Sequence, residues 1–151
     1  GNMKFMINGA VTFGTYDGAN VEIKHCCGAE NFIQFGMETP EVNALKAAGY
    51  NPKKYIAESS ILQKVMTLLR NGINGNYFNE IEDNLTNSDP YMVMADFDSY
   101  HETQRMLRNL YKDKVKFGQM SLMNIANAGK FSADRSIDDY AKNIWNLERV
   151  K

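Results

Sequence analysis

Two short apolar runs limit the topologies open to this chain. Val11-Thr12-Phe13-Gly14-Thr15 and Phe32-Ile33-Gln34-Phe35 are rich in β-branched and aromatic residues and are bounded by glycines, the pattern of short buried strands. Tyr16-Asp17-Gly18 is turn chemistry, and Ala19 to about Cys26 reads as a helix closed by Gly28. The intervening stretch is long enough for a parallel crossover, which would be right-handed. A βαβ unit over about residues 1–36 is therefore expected, of the kind found in doubly wound α/β sheets, with a short parallel sheet of two or three strands.

Beyond Gly36 the signals turn helical. Thr39-Pro40 supplies a cap and a first-turn proline ahead of Val42 and Leu45, with Gly49 past the end. Ser60 with Gln63 reads as a capping box before Val65, Met66 and Leu69, closed by Asn71-Gly72. Phe78, Ile81 and Leu85 mark a shorter helix. Tyr91 to Ala95 is apolar throughout, so periodicity cannot separate strand from buried helix. Ser99 with Glu102 reads as another capping box, before Met106, Leu107 and Leu110. A further helix is expected from about Val115 to Ala128, ended by Gly129. The last is capped by Ser132 or Asp134 and carries Ile137, Tyr140, Ala141, Ile144 and Trp145. Asn71 to Asn79 is the expected loose loop. Neither an internal repeat nor a linker interrupts the chain, so residues 1–151 are expected as one domain: the βαβ unit, then a helical part over about 37–151.

The first ten residues, Gly1-Asn2-Met3-Lys4-Phe5-Met6-Ile7-Asn8-Gly9-Ala10, read as a helix start. Met3, Met6, Ile7 and Ala10 share one helical stripe, while Gly1, Lys4 and Asn8 share a neighbouring one. Free backbone N–H groups near Gly1 would suit an anion, and the Lys4 amine would lie roughly one turn, ~5.4 Å of rise, further along. A cofactor with a phosphate at one end and an aldehyde at the other fits that spacing. On physical grounds alone most lysines at such a position are solvated surface residues, and the cofactor role stays one possibility.

Composition excludes several classes of function. Seventeen basic residues against eighteen acidic ones, net charge −1, give no electrostatic case for nucleic acid or an anionic membrane. No apolar run approaches a membrane span and no signal-peptide pattern is present. The cysteines, Cys26 and Cys27, are adjacent, a poor geometry for a disulfide between them and a usage that suits a reducing cytoplasm. His25-Cys26-Cys27 lacks the converging spacing of a zinc site, with only His101 left as a further soft ligand, so no metal is expected. Thr15 to Ala19 lies at a strand-to-helix junction, where phosphates often bind, but without a G-x-G-x-x-G pattern it reads as a structural turn. Lys130 and Arg135 read as surface charge near a helix cap. Nine methionines at scattered apolar positions read as adaptable core filler.

Gly1 to Ala10, followed by Gly14-Thr15-Tyr16-Asp17-Gly18-Ala19-Asn20-Val21-Glu22, resembles the pyridoxal-phosphate segment of the glycogen/starch/maltodextrin phosphorylases. The likeness continues through Asn31 to Gly36, Gly49 to Pro52, Asp89-Pro90-Tyr91, Ala95-Asp96-Phe97, Gly129 to Arg135 and Tyr140 to Trp145, in the family's order. Ile7 stands where that family usually has Leu or Met. The resemblance implies an α/β fold, the C-terminal part of a Rossmann-like domain of the GT-B glycosyltransferase type. It implies phosphorolysis of the terminal glucose of an α-1,4-glucan by inorganic phosphate, giving glucose 1-phosphate with retention. Lys4 would hold pyridoxal 5'-phosphate and Gly1 would lend its phosphate a backbone amide; Asn8 would be a supporting neighbour of Lys4. The family motif has a Glu-Ala-Ser-Gly-Thr run before the glycine matched by Gly1. The sequence opens at that glycine, so the expectation is a C-terminal portion cut inside its active-site motif and inactive in isolation. A parallel edge left without neighbouring strands would favour a homo-oligomer, as would the Tyr140, Ile144, Trp145 stripe, whose family partner is the N-terminal domain. The alternative is a non-enzymatic helical module that binds a protein partner through its methionine- and aromatic-rich faces.

Overall fold

The computed structural model describes residues 1–147; positions 148–151 of the expected helical part lie outside the described residues. Helices dominate, with one two-stranded parallel sheet, in the order α1 (Asn2–Ile7), β1 (Phe13–Gly14), α2 (Ala19–Cys27), β2 (Ile33–Gln34), α3 (Thr39–Ala47), α4 (Pro52–Glu58), α5 (Ser60–Asn71), α6 (Asn79–Asn87), α7 (Val93–Leu110), α8 (Lys114–Ala126) and α9 (Ala133–Asn143). Single 3₁₀ turns, Ala29–Asn31 and Ala128–Phe131, precede β2 and α9. The chain divides into two units, residues 1–34 with the segment from Arg105 onward, and Phe35–Gln104.

The first unit contains the expected βαβ. β1 and β2 pair in parallel with Phe13 opposite Ile33 and Gly14 opposite Gln34, and the Ile33 N–H donates to the Thr12 carbonyl at 2.9 Å. Both strands are shorter than their apolar runs suggested, two residues each rather than Val11–Thr15 and Phe32–Phe35. Gly18 caps α2 and Gly28 ends it, as the turn chemistry indicated. The core is Met6, Ile23, Cys27, Phe32 and Ala128, with Met3, Cys26 and Phe131 packed against it. Fully burying a side chain of this size is worth about 1.5–3 kcal/mol. Asn124 of α8 is completely buried, and its Nδ2 donates to the Asn31 carbonyl at 2.9 Å and the Met120 carbonyl at 3.0 Å. That amide ties α8 to the entry of β2.

Helix α8 spans Lys114–Ala126 and is followed by a 3₁₀ turn, not by helix through Ala128. Ser132 does cap α9, its Oγ accepting from the Arg135 N–H at 3.2 Å. Because α9 closes at Asn143, Ile144 and Trp145 lie past its end, and the stripe formed by Ile137, Tyr140, Ile144 and Trp145 is exposed.

The second unit packs Leu62, Met66 and Met94 against Tyr55, Ile56, Leu69, Leu85 and Phe97. Three helix starts differ from the sequence expectation. The cap of α3 is Glu38, whose N–H donates to Glu41 Oε2 at 2.8 Å, and Thr39 is already helical. The cap of α5 is Ser59, whose Oγ accepts from the Leu62 N–H at 3.3 Å; Ser60 is its first helical residue. Ser99 and Glu102 form no capping box at all, because α7 begins six residues before Ser99, at Val93. Ser99 Oγ instead accepts from the Gly36 N–H at 2.9 Å, and Asp96 Oδ1 accepts from the Met37 N–H at 2.8 Å. Tyr91 to Ala95 is thus the entry to α7, not a strand.

The connection from α5 to α6 is not uniformly loose. Ile73 and Asn76 exchange two backbone hydrogen bonds, 2.8 and 3.0 Å, around a tight turn with positive φ at Asn74 and Gly75. Arg70 of α5 reaches across to Glu82 of α6 through both Nε and Nη2, and Thr86 Oγ1 donates to Glu82 Oε1 at 3.1 Å. These bonds hold the buried Glu82 carboxyl below its ordinary range, with the Arg70 guanidinium as the leading cause and burial opposing it. A carboxyl with a depressed native pKa adds stability that is complete above its unfolded pKa and lost as pH falls through its native one. Acid unfolding of the second unit should therefore steepen below the ordinary carboxylate range, and Glu82→Gln should flatten that limb. A pH series of thermal melts checks this; identical slopes for parent and variant would remove Glu82 from the account.

Candidate functional site

Helix α1 positions the predicted lysine by turning its methionines inward. Met6 is fully buried and Met3 packs on the same core, so the opposite side of this short helix, with Gly1 and Lys4, faces solvent. Ala10 is not part of the stripe, since α1 closes at Asn8, and Ile7 is exposed. The Lys4 amine has no hydrogen bond or ion pair among the described residues. Asn8 does meet Lys4, but through the backbone: its Nδ2 donates to the Lys4 carbonyl at 2.8 Å, closing the helix end.

The start of α1 is tied to the strand-to-helix junction of the βαβ unit. Asn2 Nδ2 donates to Asn20 Oδ1 at 2.9 Å, and Asn20 Nδ2 donates to the Thr15 carbonyl at 2.9 Å. This chain of amides sets Gly1 to Lys4 beside the carboxyl end of β1, where open α/β sheets bind ligands. A Cβ at Gly14 would lie 2.7 Å from the Asn20 amide nitrogen, so a larger residue there would displace the Asn20 side chain from its bonds. Neither Asn2 nor Asn20 stood out as a functional residue from spacing alone. The available signal was an asparagine at each of two helix starts flanking one short strand, which becomes a contact only after the βαβ closes.

The remaining candidates resolve into structural roles. In the turn after β1, Thr15 Oγ1 donates to Asp17 Oδ2 at 3.0 Å. Lys24 lies 4.7 Å from the Tyr16 ring centre and donates to Gln34 Oε1 at 2.7 Å. Arg135 pairs with Asp139 at 2.5 Å and its Nε donates to the Lys130 carbonyl, the surface charge expected near a cap. His25 is exposed, Cys26 partly buried and Cys27 buried; burial pushes the Cys27 thiol up, with smaller contributions from Cys26 and Glu30. Among the described residues no three His, Cys, Asp or Glu side chains gather as a metal site, and no helix is long and apolar enough to cross a membrane.

The first unit is thus a parallel βαβ with an exposed lysine on a helix held beside the carboxyl end of a strand. The sequence model of the carbohydrate phosphorylase family matches residues 1–147. The chain belongs to that family. It is 44% identical to the glycogen phosphorylase of Synechocystis sp. over 154 aligned residues, covering 99% of this chain. It is 41% identical to the human muscle form of glycogen phosphorylase over 98% of its length, and 40% identical to the brain form of Pongo abelii over 98%. It spans about 18% of the length of these curated relatives.

Proposed function

We propose that this chain is the cofactor-bearing part of an α-glucan phosphorylase, in which Lys4 holds pyridoxal 5'-phosphate and Gly1 lends a backbone amide to its phosphate. The observation that carries the reading is the Asn2–Asn20–Thr15 chain of hydrogen bonds, which sets an unpaired lysine at the carboxyl end of a parallel strand. The residues present fit such a group. Among the described residues nothing engages the exposed Lys4 amine, and none lies within 4 Å of where a Cβ on Gly1 would stand.

When bound, the cofactor supplies a phosphate group that can exchange a proton with the attacking phosphate. The chain's own share is positioning. Met3 and Met6 anchor α1 in the core, the Asn2–Asn20 bond fixes its start, and the Asn8 amide secures its end at the Lys4 carbonyl. Together they limit how far the Lys4 amine can move from the strand end, which is how positioning lowers a barrier. The reaction of the whole protein is then phosphorolysis of a terminal α-1,4-linked glucose by inorganic phosphate, retaining, with glucose 1-phosphate as product. The two-stranded sheet belongs, in this reading, to a larger Rossmann-like half of a GT-B enzyme, working as a homo-oligomer in the cytoplasm. The isolated chain is inactive on glucan, because Lys4 stands open to solvent with no described residue of this chain covering it to exclude water.

The test is chemical. The chain is incubated with pyridoxal 5'-phosphate, reduced with borohydride, digested and sequenced by mass spectrometry. A pyridoxyl group concentrated on Lys4, lost in Lys4→Arg while other lysines label as before, is the expected result. Labelling spread evenly over the exposed lysines would reject Lys4 as the anchor. Release of glucose 1-phosphate by this chain from glycogen and phosphate would reject its inactivity.

A further inference from the structure

The sequence contains three Asn-Gly steps, Asn8-Gly9, Asn71-Gly72 and Asn74-Gly75, and the structure treats them differently. Deamidation at such a step needs the glycine amide nitrogen as nucleophile and an unrestrained asparagine side chain as electrophile. At Asn8 both are engaged: the Gly9 N–H donates to the Met6 carbonyl at 2.9 Å, and Asn8 Nδ2 donates to the Lys4 carbonyl at 2.8 Å. Gly9 is also buried. At Asn71 the nucleophile is held, since the Gly72 N–H donates to the Leu68 carbonyl at 3.0 Å and closes α5. At Asn74 neither is engaged. The Gly75 N–H donates to no group among the described residues, the Asn74 side-chain amide is unbonded, and both residues are exposed.

We propose that Asn74 is a site of spontaneous deamidation, selected over Asn8 and Asn71 by the free Gly75 nitrogen. The Gly75 nitrogen loses its proton and bonds to Asn74 Cγ; the Cγ–Nδ2 bond breaks and ammonia leaves, giving a cyclic imide. Water then opens the ring at one carbonyl or the other, giving aspartate or isoaspartate, with no change in oxidation state. The turn must open for the nitrogen to reach Cγ. Among the described residues the two Ile73–Asn76 backbone bonds and a long bond from Asn76 Nδ2 to the Asn74 carbonyl, 3.5 Å, close it, all between exposed residues, so opening disrupts no core contact. The product puts a carboxylate in the α5–α6 connection. In its isoaspartyl form it also lengthens the backbone of a two-residue turn whose closure depends on left-handed φ at both positions.

The experiment incubates the folded chain and a denatured portion at mildly alkaline pH. Amide-to-acid conversion is followed peptide by peptide by mass spectrometry, with isoaspartate confirmed by enzymatic methyl labelling. In the folded chain Asn74 is expected to convert at least about tenfold faster than Asn8 or Asn71, a barrier difference of ~1.4 kcal/mol. In denaturant, where all three nitrogens are free, the rates should converge. Asn8 or Asn71 keeping pace in the folded chain would overturn the proposal, as would an Asn74 that stays an amide while the denatured chain reacts.

Discussion

Asp89→Ala is expected to destabilise the second unit by about 3 kcal/mol, enough to consume a large part of a marginal domain's stability. Asp89 is 1% exposed, and every polar atom of its side chain is used. Oδ1 accepts from the Val93 N–H at 3.0 Å and Oδ2 from the Met94 N–H at 2.9 Å, so one carboxylate satisfies two orphan amides at the start of α7. Tyr50 donates its hydroxyl to Oδ2 at 2.5 Å. Burial first, then that bond and the negative charge of Asp89, push the Tyr50 phenol well above its ordinary range, so it stays a neutral donor. Alanine would strand all three donors. The backbone is committed as well, with positive φ at Asp89 and Met92 shaping the approach to the helix. Urea unfolding followed by circular dichroism reads the effect. Tyr50→Phe should cost only about 1 kcal/mol, because it removes one of the three bonds. A loss for Asp89→Ala within the range of ordinary surface substitutions, ~0.5 kcal/mol, would show that α7 is started by packing alone.

Gly9→Ala should cost about 2–4 kcal/mol in the first unit, through two separable terms. The backbone there has φ +81°, a conformation L-residues adopt only with strain, and an added Cβ would stand 2.4 Å from Ser121 Oγ and 3.1 Å from Ile125 Cδ1. Gly9 is therefore where the exit from α1 presses against α8. The double variant with Ser121→Ala separates the largest steric term, since deleting the hydroxyl removes the closest collision but leaves the Ile125 contact and the strained φ. Partial recovery of the melting temperature is the expected outcome; full recovery would mean the backbone strain is negligible. Because the same displacement would shift α1, Gly9→Ala should also weaken pyridoxal-phosphate labelling of Lys4.

These two residues show where sequence reasoning stops. The turn at Tyr16 to Gly18, the helix from Ala19 and a cap at Ser132 or Asp134 were legible because each is decided within a few residues of itself, and the structure chooses Ser132. The starts of α5 and α7 were not. Ser59 and Ser60 carry the same chemistry, and only the chain's approach from α4 decides which hydroxyl meets the Leu62 amide. Ser99 followed by Glu102 satisfies the capping pattern completely, yet its hydroxyl serves Gly36, whose position depends on the rest of the unit. Asp89 went unnoticed as a cap because its targets lie four and five residues ahead, across a loop with left-handed φ values that no local pattern announces. The strands are shorter than their apolar runs for a related reason: an apolar run records burial, whereas strand length is set by how many residues find a ladder partner.

The sequence by itself determined that this chain carries a βαβ crossover, that helices follow it, and that one lysine sits near the start of a short amphipathic helix. Those facts rest on hydrophobic period, turn residues and caps, which act over a few residues. Only the tertiary structure decided that Met3 and Met6 turn inward so that Lys4 faces out, and that Asn2 and Asn20 bind α1 to the end of β1. It alone separated the three Asn-Gly steps and handed the start of α7 to Asp89. The physical reason is the same in each case. A buried or strained polar group is defined by the partners that surround it, and those partners are distant in sequence until the chain has folded.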